Sequence, residues 1–458
     1  MQKLTSILKE YWGYSSFRPM QQEIIESVLE GRDTLALLPT GGGKSICFQV
    51  PALAKEGLCL VVSPLIALMK DQVETLRKKN ITAFALTSTN SRKETEHILQ
   101  VASNSNCKFL YISPERLQTD LFQEYLPGLG VSLLAIDEAH CISQWGYDFR
   151  PSYLKIAEIR EQLPDVPLLA VTASATPEVQ KDICEKLLFK NGHVFKGSFL
   201  RPNISYSILS SEAKAETLEN LFKTSKGSSI VYCRSRRMTA EIAGFLQMHQ
   251  LSADFYHAGL TSEERNQKQE AWIRNETRII VCTNAFGMGI DKPDVRLVVH
   301  YEIPDCLENY YQEAGRAGRD GLPSKAILIY HKQDLEGLKK MSAIRFPSID
   351  TISRVYESIS HYLQIPTGGG AGIWHEFDLA DFCTRFKIPS SNVIPAMQLL
   401  EQEGWLAHAG KIFLPAKAEF TCNREQLEYY EEANPMMEDL IKTMLRNYGG
   451  ILFSEATI

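Results

Sequence analysis

The stretch L-L-P-T-G-G-G-K-S, which spans Leu37–Ser45, decides how the rest of the chain is read. It follows an apolar run, Thr34–Leu38, and opens into Ile46–Leu53, whose composition is typical of a helix. Three glycines let the backbone approach phosphate oxygens without a Cβ in the way, and free N–H groups of the turn and the new helix point at the anion. This strand–turn–helix pattern predicts a phosphate site in which Lys44 reaches the β- and γ-phosphates and the Ser45 hydroxyl binds Mg²⁺.

One residue departs from the strict phosphate-loop pattern, which has glycine at the position of Leu38. The alternative is an ordinary glycine-rich turn between a strand and a helix. G-K-S after a strand is uncommon, and we favour nucleotide binding. The residues expected to contact the nucleotide in this loop are Thr40, Gly41, Gly42, Gly43, Lys44 and Ser45.

Length and composition bound the class of protein. The 458 residues predict about three domains at ~150 residues each, and 44% hydrophobic with 23% charged residues is typical of a globular protein. No apolar stretch approaches the ~20 residues that a membrane span needs, and the N-terminus does not resemble a signal peptide. Ten cysteines are scattered without a C-x-x-C pair, which favours a cytoplasmic location and argues against zinc. The net charge of −6 does not itself suggest nucleic acid, although a local basic groove is what binds a strand.

Beyond the glycine loop, short apolar runs alternate with helix-like segments, which predicts parallel sheets covered by helices on both faces. The helix-like segments expected first are Leu65–Lys79, Ser91–Val101 and Pro114–Tyr125. The strands expected in the first half are Leu58–Val62, Thr82–Leu86, Lys108–Ile112, Leu133–Ile136 and Leu168–Val171.

Polar residues follow these strands, at the edge of the sheet where ligands of open α/β folds bind. Leu133–Ile136 delivers Asp137 and Glu138, an acidic pair suited to Mg²⁺ and to an attacking water, respectively. A lone D-E pair is usually a solvated turn. Downstream of a phosphate loop, on a buried strand, it indicates hydrolysis.

Aromatic and polar residues lie together in two further stretches. Ahead of the loop, Tyr14 can stack on a base, Arg18 is a cation, and the Gln21 amide can pair with adenine N6 and N7; an N-terminal helix packing its aromatics is about equally favoured. After the acidic pair, the segment Cys141–Arg150 carries three aromatics, which suits a platform for stacked bases. A loop packed by its own aromatics is the alternative.

A second half begins near Phe199-Leu200-Arg201-Pro202 and repeats the alternation without a second G-K-S. Its expected strands are Ser229–Cys233, Ala253–His257, Arg278–Cys282 and Leu297–His300, with helices over Thr239–His249, Thr261–Ile273 and Leu307–Ala317. Arg316 and Arg319, three residues apart on a helical face or its exit turn, are placed to reach a γ-phosphate across a cleft. Without the first half, a surface arginine pair would be the better interpretation.

Four motifs together resemble the RecQ DNA helicases of helicase superfamily 2, over roughly Leu4–Tyr330. They are W-G-Y-S-S-F-R-P-M-Q at 12–21, D-E-A-H-C-I-S-Q-W-G-Y-D-F-R-P-S-Y at 137–153, A-F-G-M-G-I-D-K-P-D-V-R at 285–296, and Y-Y-Q-E-A-G-R-A-G-R-D-G at 310–321. D-E-A-H also occurs in RNA helicases, and the extension C-I-S-Q-W-G is what points to RecQ. A non-glycine at Leu38 is usual in such helicases.

The resemblance implies an α/β fold of two tandem RecA-like parallel-sheet lobes, followed by a small helical and winged-helix-like C-terminal region. It implies ATP and Mg²⁺ as ligands and 3′-to-5′ movement on single-stranded DNA, with forked DNA also expected as a partner, in repair or recombination. A bacterial protein would then be nucleoid-associated. Further residues expected on this basis are Asp291 and Gln312 at the nucleotide, and Ser63, Pro64, Gln72, Arg116, Gln144, Trp145, Phe149, Arg150, Arg234 and His257 on DNA.

The resemblance weakens after Tyr330. Many RecQ proteins have four zinc-binding cysteines there, whereas residues 321–458 contain only Cys383 and Cys422, so no zinc site is expected. The expected domains are 1–200 and 201–335 for the lobes, 336–366 for a helical connector, 373–420 for a winged-helix-like domain and 421–458 for a helical tail, expected to be incomplete.

Two alternatives remain open from the sequence. One is an RNA-dependent ATPase of the same superfamily. The other is a DNA-bound scaffold that uses nucleotide as a switch and hydrolyses it too slowly to move. Substrate preference, oligomeric state and protein partners leave no signal in the sequence.

Overall fold

The computed structural model describes residues 2–144, 146, 148–286, 292–407, 417–418, 420, 422, 424–434, 437–447 and 456–457. The chain divides into two compact units, residues 1–345 and 346–458. No helix in the described ranges is both long enough and apolar enough to cross a membrane.

The first lobe is built on a seven-stranded parallel sheet. Its strands are β1 Thr34–Leu37, β2 Leu58–Val62, β3 Ala83–Leu86, β4 Phe109–Ile112, β5 Val131–Ile136, β6 Leu168–Thr172 and β7 His193–Lys196. They lie in the order β3-β4-β2-β5-β6-β1-β7. Strands β1, β2, β4 and β6 are buried along their whole length, as expected when helices cover both faces of the sheet. The loops that follow β1, β2, β5 and β6 therefore leave the sheet at one edge, which is where the site lies.

Eight helices accompany this sheet. They are α1 Gln2–Trp12, α2 Gln21–Leu29, α3 Ile46–Ala54, α4 Ile66–Lys78, α5 Arg92–Asn104, α6 Asp120–Tyr125, α7 Ile156–Gln162 and α8 Pro177–Lys186, with 3-10 turns at Pro114–Arg116, Leu126–Gly128, Ala139–Ile142 and Pro151–Lys155. The single helix predicted over Pro114–Tyr125 is therefore wrong. Thr119 has extended backbone and separates a 3-10 turn from α6.

A buried ion pair joins the start of β1 to α7. Both carboxylate oxygens of Asp33 accept from Arg160 Nη2 at 3.0 Å, and the backbone N–H groups of Leu168 and Lys190 also donate to this carboxylate, at 3.0 and 2.6 Å. Asp33 and Arg160 are 2% and 4% exposed. Because a buried charge is costly unless it is fully paired, this contact ties β1, β6 and α7 into one arrangement.

The second lobe contains a six-stranded parallel sheet. Its strands are β8 Ile204–Ser210, β9 Ser228–Tyr232, β10 Ala253–Tyr256, β11 Ile279–Cys282, β12 Val295–His300 and β13 Ser324–Tyr330, in the order β10-β11-β9-β12-β13-β8. Its helices are α9 Lys214–Thr224, α10 Arg236–Met248, α11 Ser262–Ile273 and α12 Leu307–Ala314, and α13 Lys332–Arg345 follows β13. Apolar clusters fill both faces, around Trp272 and Phe286 on one and around Phe222 and Leu246 on the other.

The second unit is helical in its described part. It contains α14 Ile349–Tyr362, α15 Leu379–Phe386, α16 Ser390–Gln402, α17 Arg424–Ala433 and α18 Glu438–Asn447, with short strands Lys417–Ala418 and Ala456–Thr457 paired antiparallel. Phe382, Val355 and Val393 form the core of α14 to α16. Helices α15 and α16 lie within the segment 373–420 that is expected to be winged-helix-like, and residues 408–416 of that segment lie outside the described residues.

Candidate active site

The glycine loop joins β1 to α3, as the sequence predicts. Gly41 and Gly43 both have φ of +77°, in the left-handed region that favours glycine. A Cβ on Gly42 would lie 2.8 Å from the Pro39 carbonyl oxygen, which leaves no room for a larger residue. The loop therefore needs glycine at all three positions, and it brings Lys44 and Ser45 to the start of α3.

Gln21 and Arg18 lie against this loop. Gln21 Nε2 donates to the carbonyl oxygens of Gly42 and Gly43, both at 3.1 Å, and Gln21 Oε1 accepts from the Arg18 backbone N–H at 2.9 Å. The Arg18 guanidinium donates to the Gly41 carbonyl oxygen. Gln21 thus holds the loop in shape before any ligand arrives. Tyr14 is 54% exposed, so that its ring is open to solvent.

The acidic pair follows β5 directly and reaches the same edge. Lys44 Nζ lies 3.6 Å from Glu138 Oε1, with both side chains mostly buried. Glu138 has φ 46° and ψ 48°, a left-handed conformation that is costly for a residue other than glycine and is found mainly where function requires it. The loop lysine and the carboxylate are therefore held as one unit.

The two carboxylates have opposite pKa shifts. Burial, together with the negative charge of Glu138, raises the pKa of Asp137 to about 7. Burial also acts to raise the pKa of Glu138, but the positive charges around it, above all that of Lys44, outweigh burial and lower the pKa. Glu138 is thus ionised at neutral pH. The ionised form of Asp137 is disfavoured, and a cation would stabilise it.

A chain of polar contacts leads from Glu138 to the second lobe. His140 Nδ1 lies 3.4 Å from Glu138 Oε2 and 2.9 Å from Thr172 Oγ1, at the end of β6. The Thr172 hydroxyl donates to the Ser174 carbonyl oxygen at 3.2 Å, and Gln312 Nε2 donates to Ser174 Oγ at 3.4 Å. The sequence analysis quoted the segment that contains His140 but did not select His140, Thr172 or Ser174 as site residues.

The predicted arginines reach the glycine loop from the second lobe. Helix α12 ends at Ala314, and not at Ala317 as predicted, so that Arg316 and Arg319 lie on the turn that follows. A Cβ built on Gly41 would stand 3.4 Å from Arg319 Cγ. Arg316 is 7% exposed, and its charge contributes to lowering the pKa of Glu138. The site therefore contains side chains from both lobes.

Arg201, between the two sheets, donates hydrogen bonds to both sides of the cleft. Its Nη1 donates to the carbonyl oxygens of Thr40 and Gly315, at 2.9 and 3.0 Å, and its Nη2 donates to those of Ala317 and Gly318, both at 3.0 Å. Sequence reasoning used Arg201 only to mark the start of the second half.

Ser63, Pro64 and Arg150, which are predicted to contact DNA, lie near the same edge. Arg150 Nη1 donates to the Pro64 carbonyl oxygen at 3.1 Å, and its Nη2 pairs with Asp148 at 3.2 Å. This contact joins the aromatic-rich segment after Glu138 to the loop after β2. Ser63 is buried, Gln144 is exposed, and the Phe149 ring has Lys186 Nζ 5.8 Å from its centre.

Other predicted DNA contacts bond within the protein. Arg116 donates to the carbonyl oxygens of Thr87 and Asn90, at 3.0 and 2.7 Å. Gln72 Oε1 accepts from Gln49 at 3.0 Å, Arg234 pairs with Asp305 at 2.9 Å, and the His257 ring lies beside Phe255. Trp145 and Asp291 lie outside the described residues. The DNA contacts of all these residues remain predictions.

One group in the described ranges has the composition of a metal site. Ligand atoms of His140, Cys141 and Asp148 lie within 4.8 Å of one another. Burial raises the pKa of the Cys141 thiol far above its usual value, which opposes the thiolate that zinc requires. Asp148 is also paired with Arg150. The expected absence of zinc stays a prediction.

Comparison with known sequences identifies the family. Profiles of the DEAD/DEAH box helicase and of the helicase conserved C-terminal domain match residues 18–183 and 213–321. The ATP-dependent DNA helicase RecQ of Haemophilus influenzae is 44% identical over 337 residues, which are 73% of this chain and 54% of that protein. A probable ATP-dependent DNA helicase RecS of Bacillus subtilis is 43% identical over 365 residues, 78% of this chain and 73% of the relative. The chain belongs to the RecQ family of DNA helicases.

The C-terminal region carries a second RecQ signature. A profile of the RecQ helicase winged-helix domain of Bacteroidota matches residues 418–458. This match lies mostly beyond the segment 373–420 that the sequence predicted to be winged-helix-like, and the predicted domain boundaries stay predictions. The chain spans about half the length of its Haemophilus relative.

Solved structures support the two-lobed fold. Saccharomyces cerevisiae Dbp5 bound to RNA and ADP BeF3 matches with a TM-score of 0.59 at 19% identity, over 74% of this chain and 91% of that one. At this identity the likeness concerns the fold alone. It confirms the predicted pair of RecA-like lobes.

Proposed function

We propose that this RecQ chain is an ATP-driven motor that moves 3′ to 5′ on single-stranded DNA and unwinds duplex, in repair or recombination. The observation that carries the proposal is that one site is assembled from both lobes: Arg319 approaches Gly41, and Lys44 meets Glu138. Hydrolysis at such a site changes the contacts between the two lobes. Each ATP turnover can then close and open the cleft, and movement along a strand requires such a cycle.

The nucleotide contacts follow from the loop. Backbone N–H groups of Gly41, Gly43, Lys44 and Ser45 contact the phosphates at the start of α3, and Lys44 adds a positive charge, whereas the Gly42 N–H donates to the Pro39 carbonyl oxygen at 2.9 Å. Tyr14 stacks on the adenine, and Gln21 pairs with the edge of the base by exchanging its bonds to Arg18 and to the glycine loop for bonds to the nucleotide. Asp291 is a further residue that we assign to the nucleotide.

The donor set fits Mg²⁺. Ser45 offers a hydroxyl and Asp137 a carboxylate, and hard oxygen ligands are those this ion prefers. The raised pKa of Asp137 fits too, since a divalent cation would stabilise its ionised form. Ser45 and Asp137 would hold the ion, which would supply positive charge close to the phosphate oxygens.

The chain's own residues divide the chemistry. Glu138, ionised beside Lys44, accepts a hydrogen bond from the attacking water and orients it toward the γ-phosphorus. Arg316 and Arg319 stabilise charge on the transferring phosphoryl from the other lobe, and Gln312 connects that lobe to the loop after β6. Because the arginines act on charge that appears in the transition state, they affect turnover more than nucleotide affinity.

DNA contact is coupled to this chemistry by the aromatic-rich segment that follows Glu138. Arg150 fixes that segment to the loop after β2, so a base that stacks on the segment affects the position of both loops. Opening one base-pair step opposes about 1.4 kcal/mol of stacking, and hydrolysis supplies that energy.

The test compares ATPase rates without polymer, with single-stranded DNA and with single-stranded RNA, using Lys44→Ala as the inactive control. Stimulation by DNA well above that by RNA supports the proposal, and the reverse favours the RNA-dependent alternative. A slow rate in all three favours the scaffold. Duplexes with a 3′ tail, a 5′ tail or a fork then test direction, and unwinding only from a 5′ tail would refute 3′-to-5′ movement.

A further inference from the structure

The short segment 197–203 connects β7 of the first sheet to β8 of the second, and its residues Phe199, Arg201 and Asn203 contact α12 or the arginine-bearing turn after it. Arg201 donates to carbonyl oxygens on both sides of the cleft: that of Thr40 in the glycine loop, and those of Gly315, Ala317 and Gly318 in the turn. Among the described residues, no carboxylate is within ion-pair distance of Arg201, so its partners are backbone carbonyls of the two site loops.

This pattern requires the shape of arginine. A guanidinium is a rigid planar fork, and here each of its two terminal nitrogens donates to two oxygens. A lysine ammonium would keep the charge but would place its donors around a single point. Burial lowers the pKa of Arg201, yet a guanidinium stays protonated at neutral pH, so the cation persists between the loops.

Neighbouring residues extend the same contact. Asn203 Nδ2 donates to the carbonyl oxygens of Gly318 and Leu322, at 2.7 and 3.0 Å. At the other end, Tyr311 Oη donates to the Phe199 carbonyl oxygen at 2.8 Å, and the two rings meet edge to face. The connecting segment therefore holds both α12 and the turn after it.

We propose that Arg201 is a positioning residue for the ATPase reaction. It fixes the turn that carries Arg316 and Arg319 at its proper distance from the glycine loop, so that the arginines meet the phosphoryl group only when Thr40 and Gly315 share this guanidinium. The inference rests on the proposed function, because it assigns a role within that same site. Arg201 acts through the turn, and the shape of its side chain matters more than its charge.

The first test is steady-state ATPase with saturating single-stranded DNA. Arg201→Lys should lower kcat by about 10²-fold, the scale expected for a displacement of about 1 Å, while the KM for ATP changes less than about threefold. The double variant Arg201→Lys with Arg319→Ala should lose less than the product of the two single losses, since one of the two arginines that the turn positions is already absent. Arg237→Lys, at an exposed arginine of α10, is the matched control and should match the unaltered chain.

Two results would overturn the proposal. If Arg201→Lys keeps near-normal kcat, the charge alone suffices and Arg201 acts as a direct phosphate contact. If the losses in the double variant multiply, Arg201 and Arg319 act independently.

A second measurement does not depend on turnover. Backbone hydrogen exchange of residues 315–324 is followed with a non-hydrolysable ATP analogue bound, in the unaltered chain and in Arg201→Lys. Faster exchange confined to this segment supports the positioning role, and unchanged exchange contradicts it. A chain that lacks DNA-stimulated ATPase would refute the proposed function, and the exchange comparison would still decide the role of Arg201.

Discussion

Gly315 offers a direct test of how closely the lobes must approach. A Cβ at this position would lie 2.1 Å from Thr40 Oγ1, whereas a carbon–oxygen contact is ordinarily about 3.3–3.6 Å. The backbone of Gly315, with φ −65° and ψ −4°, is open to alanine, although the added Cβ would also lie 2.9 Å from the Tyr311 carbonyl oxygen in α12. Gly315→Ala should therefore separate the turn from the glycine loop by about 1 Å and lower kcat by about 10²-fold.

The assay is DNA-stimulated ATPase, together with the Kd of a fluorescent nucleotide and the melting temperature. Nucleotide affinity and melting temperature should change little, because the loop itself and both cores stay intact. Gly244→Ala, in the middle of α10 with no atom within 4 Å of the added Cβ, is the control, and it should keep full activity with a slightly higher melting temperature. A Gly315→Ala chain with more than half the normal kcat would show that the lobes do not meet here during turnover.

Four further changes test other parts of the structure. Glu138→Gln should keep nucleotide affinity but lose most turnover, and stimulated activity near normal would remove Glu138 from its assigned role. Arg319→Ala should lower kcat by about 10³-fold or more with much less effect on nucleotide Kd; a large loss of affinity with kcat preserved would make it a ground-state contact. Only ionised Asp137 binds Mg²⁺, and the pKa of Asp137 is about 7. The Mg²⁺ concentration needed for half-maximal nucleotide binding should therefore fall about tenfold from pH 6 to pH 8. An equal fall in Asp137→Asn would show that the pH dependence comes from the nucleotide instead. Asp33→Asn leaves the Arg160 charge buried without its partner and should cost about 3–5 kcal/mol, seen as earlier urea unfolding of the first lobe; a midpoint that does not move would contradict this cost.

Interior strands were predictable from sequence because their signal is continuous apolar composition. The apolar runs at Leu58–Val62 and Leu168–Val171 became central strands with nearly the predicted ends. Strands β7, β8 and β13 were missed. Strands β7 and β8 each lie at the edge of a sheet and are exposed at most positions, so that their residues, H-V-F-K and I-S-Y-S-I-L-S, carry no buried run. Strand β13 lies inside its sheet and carries the apolar run A-I-L-I-Y, which the sequence prediction passed over.

Among the residues of the site, those that belong to local sequence patterns were predictable and those defined by long-range contacts were not. Lys44 and Glu138 were predictable because a glycine loop and an acidic pair after a strand are local patterns, and the structure brings their side chains together. Arg201 was not, since all four of its acceptors are backbone carbonyls more than a hundred residues away along the chain. A carbonyl has no side-chain identity, and a contact of this kind leaves no signal in a single sequence.

The short connection between the sheets also determines how strongly the lobes need to attract each other. Residues 197–203 are all that separates β7 from β8, a contour of about 25 Å when fully extended. Each lobe therefore experiences the other at an effective concentration in the millimolar range, whatever the concentration of the protein. Weak contacts across the cleft, which could not hold two free proteins together, are then enough to close the cleft. The loss of an equally weak contact, as when a phosphate departs, is enough to open it again.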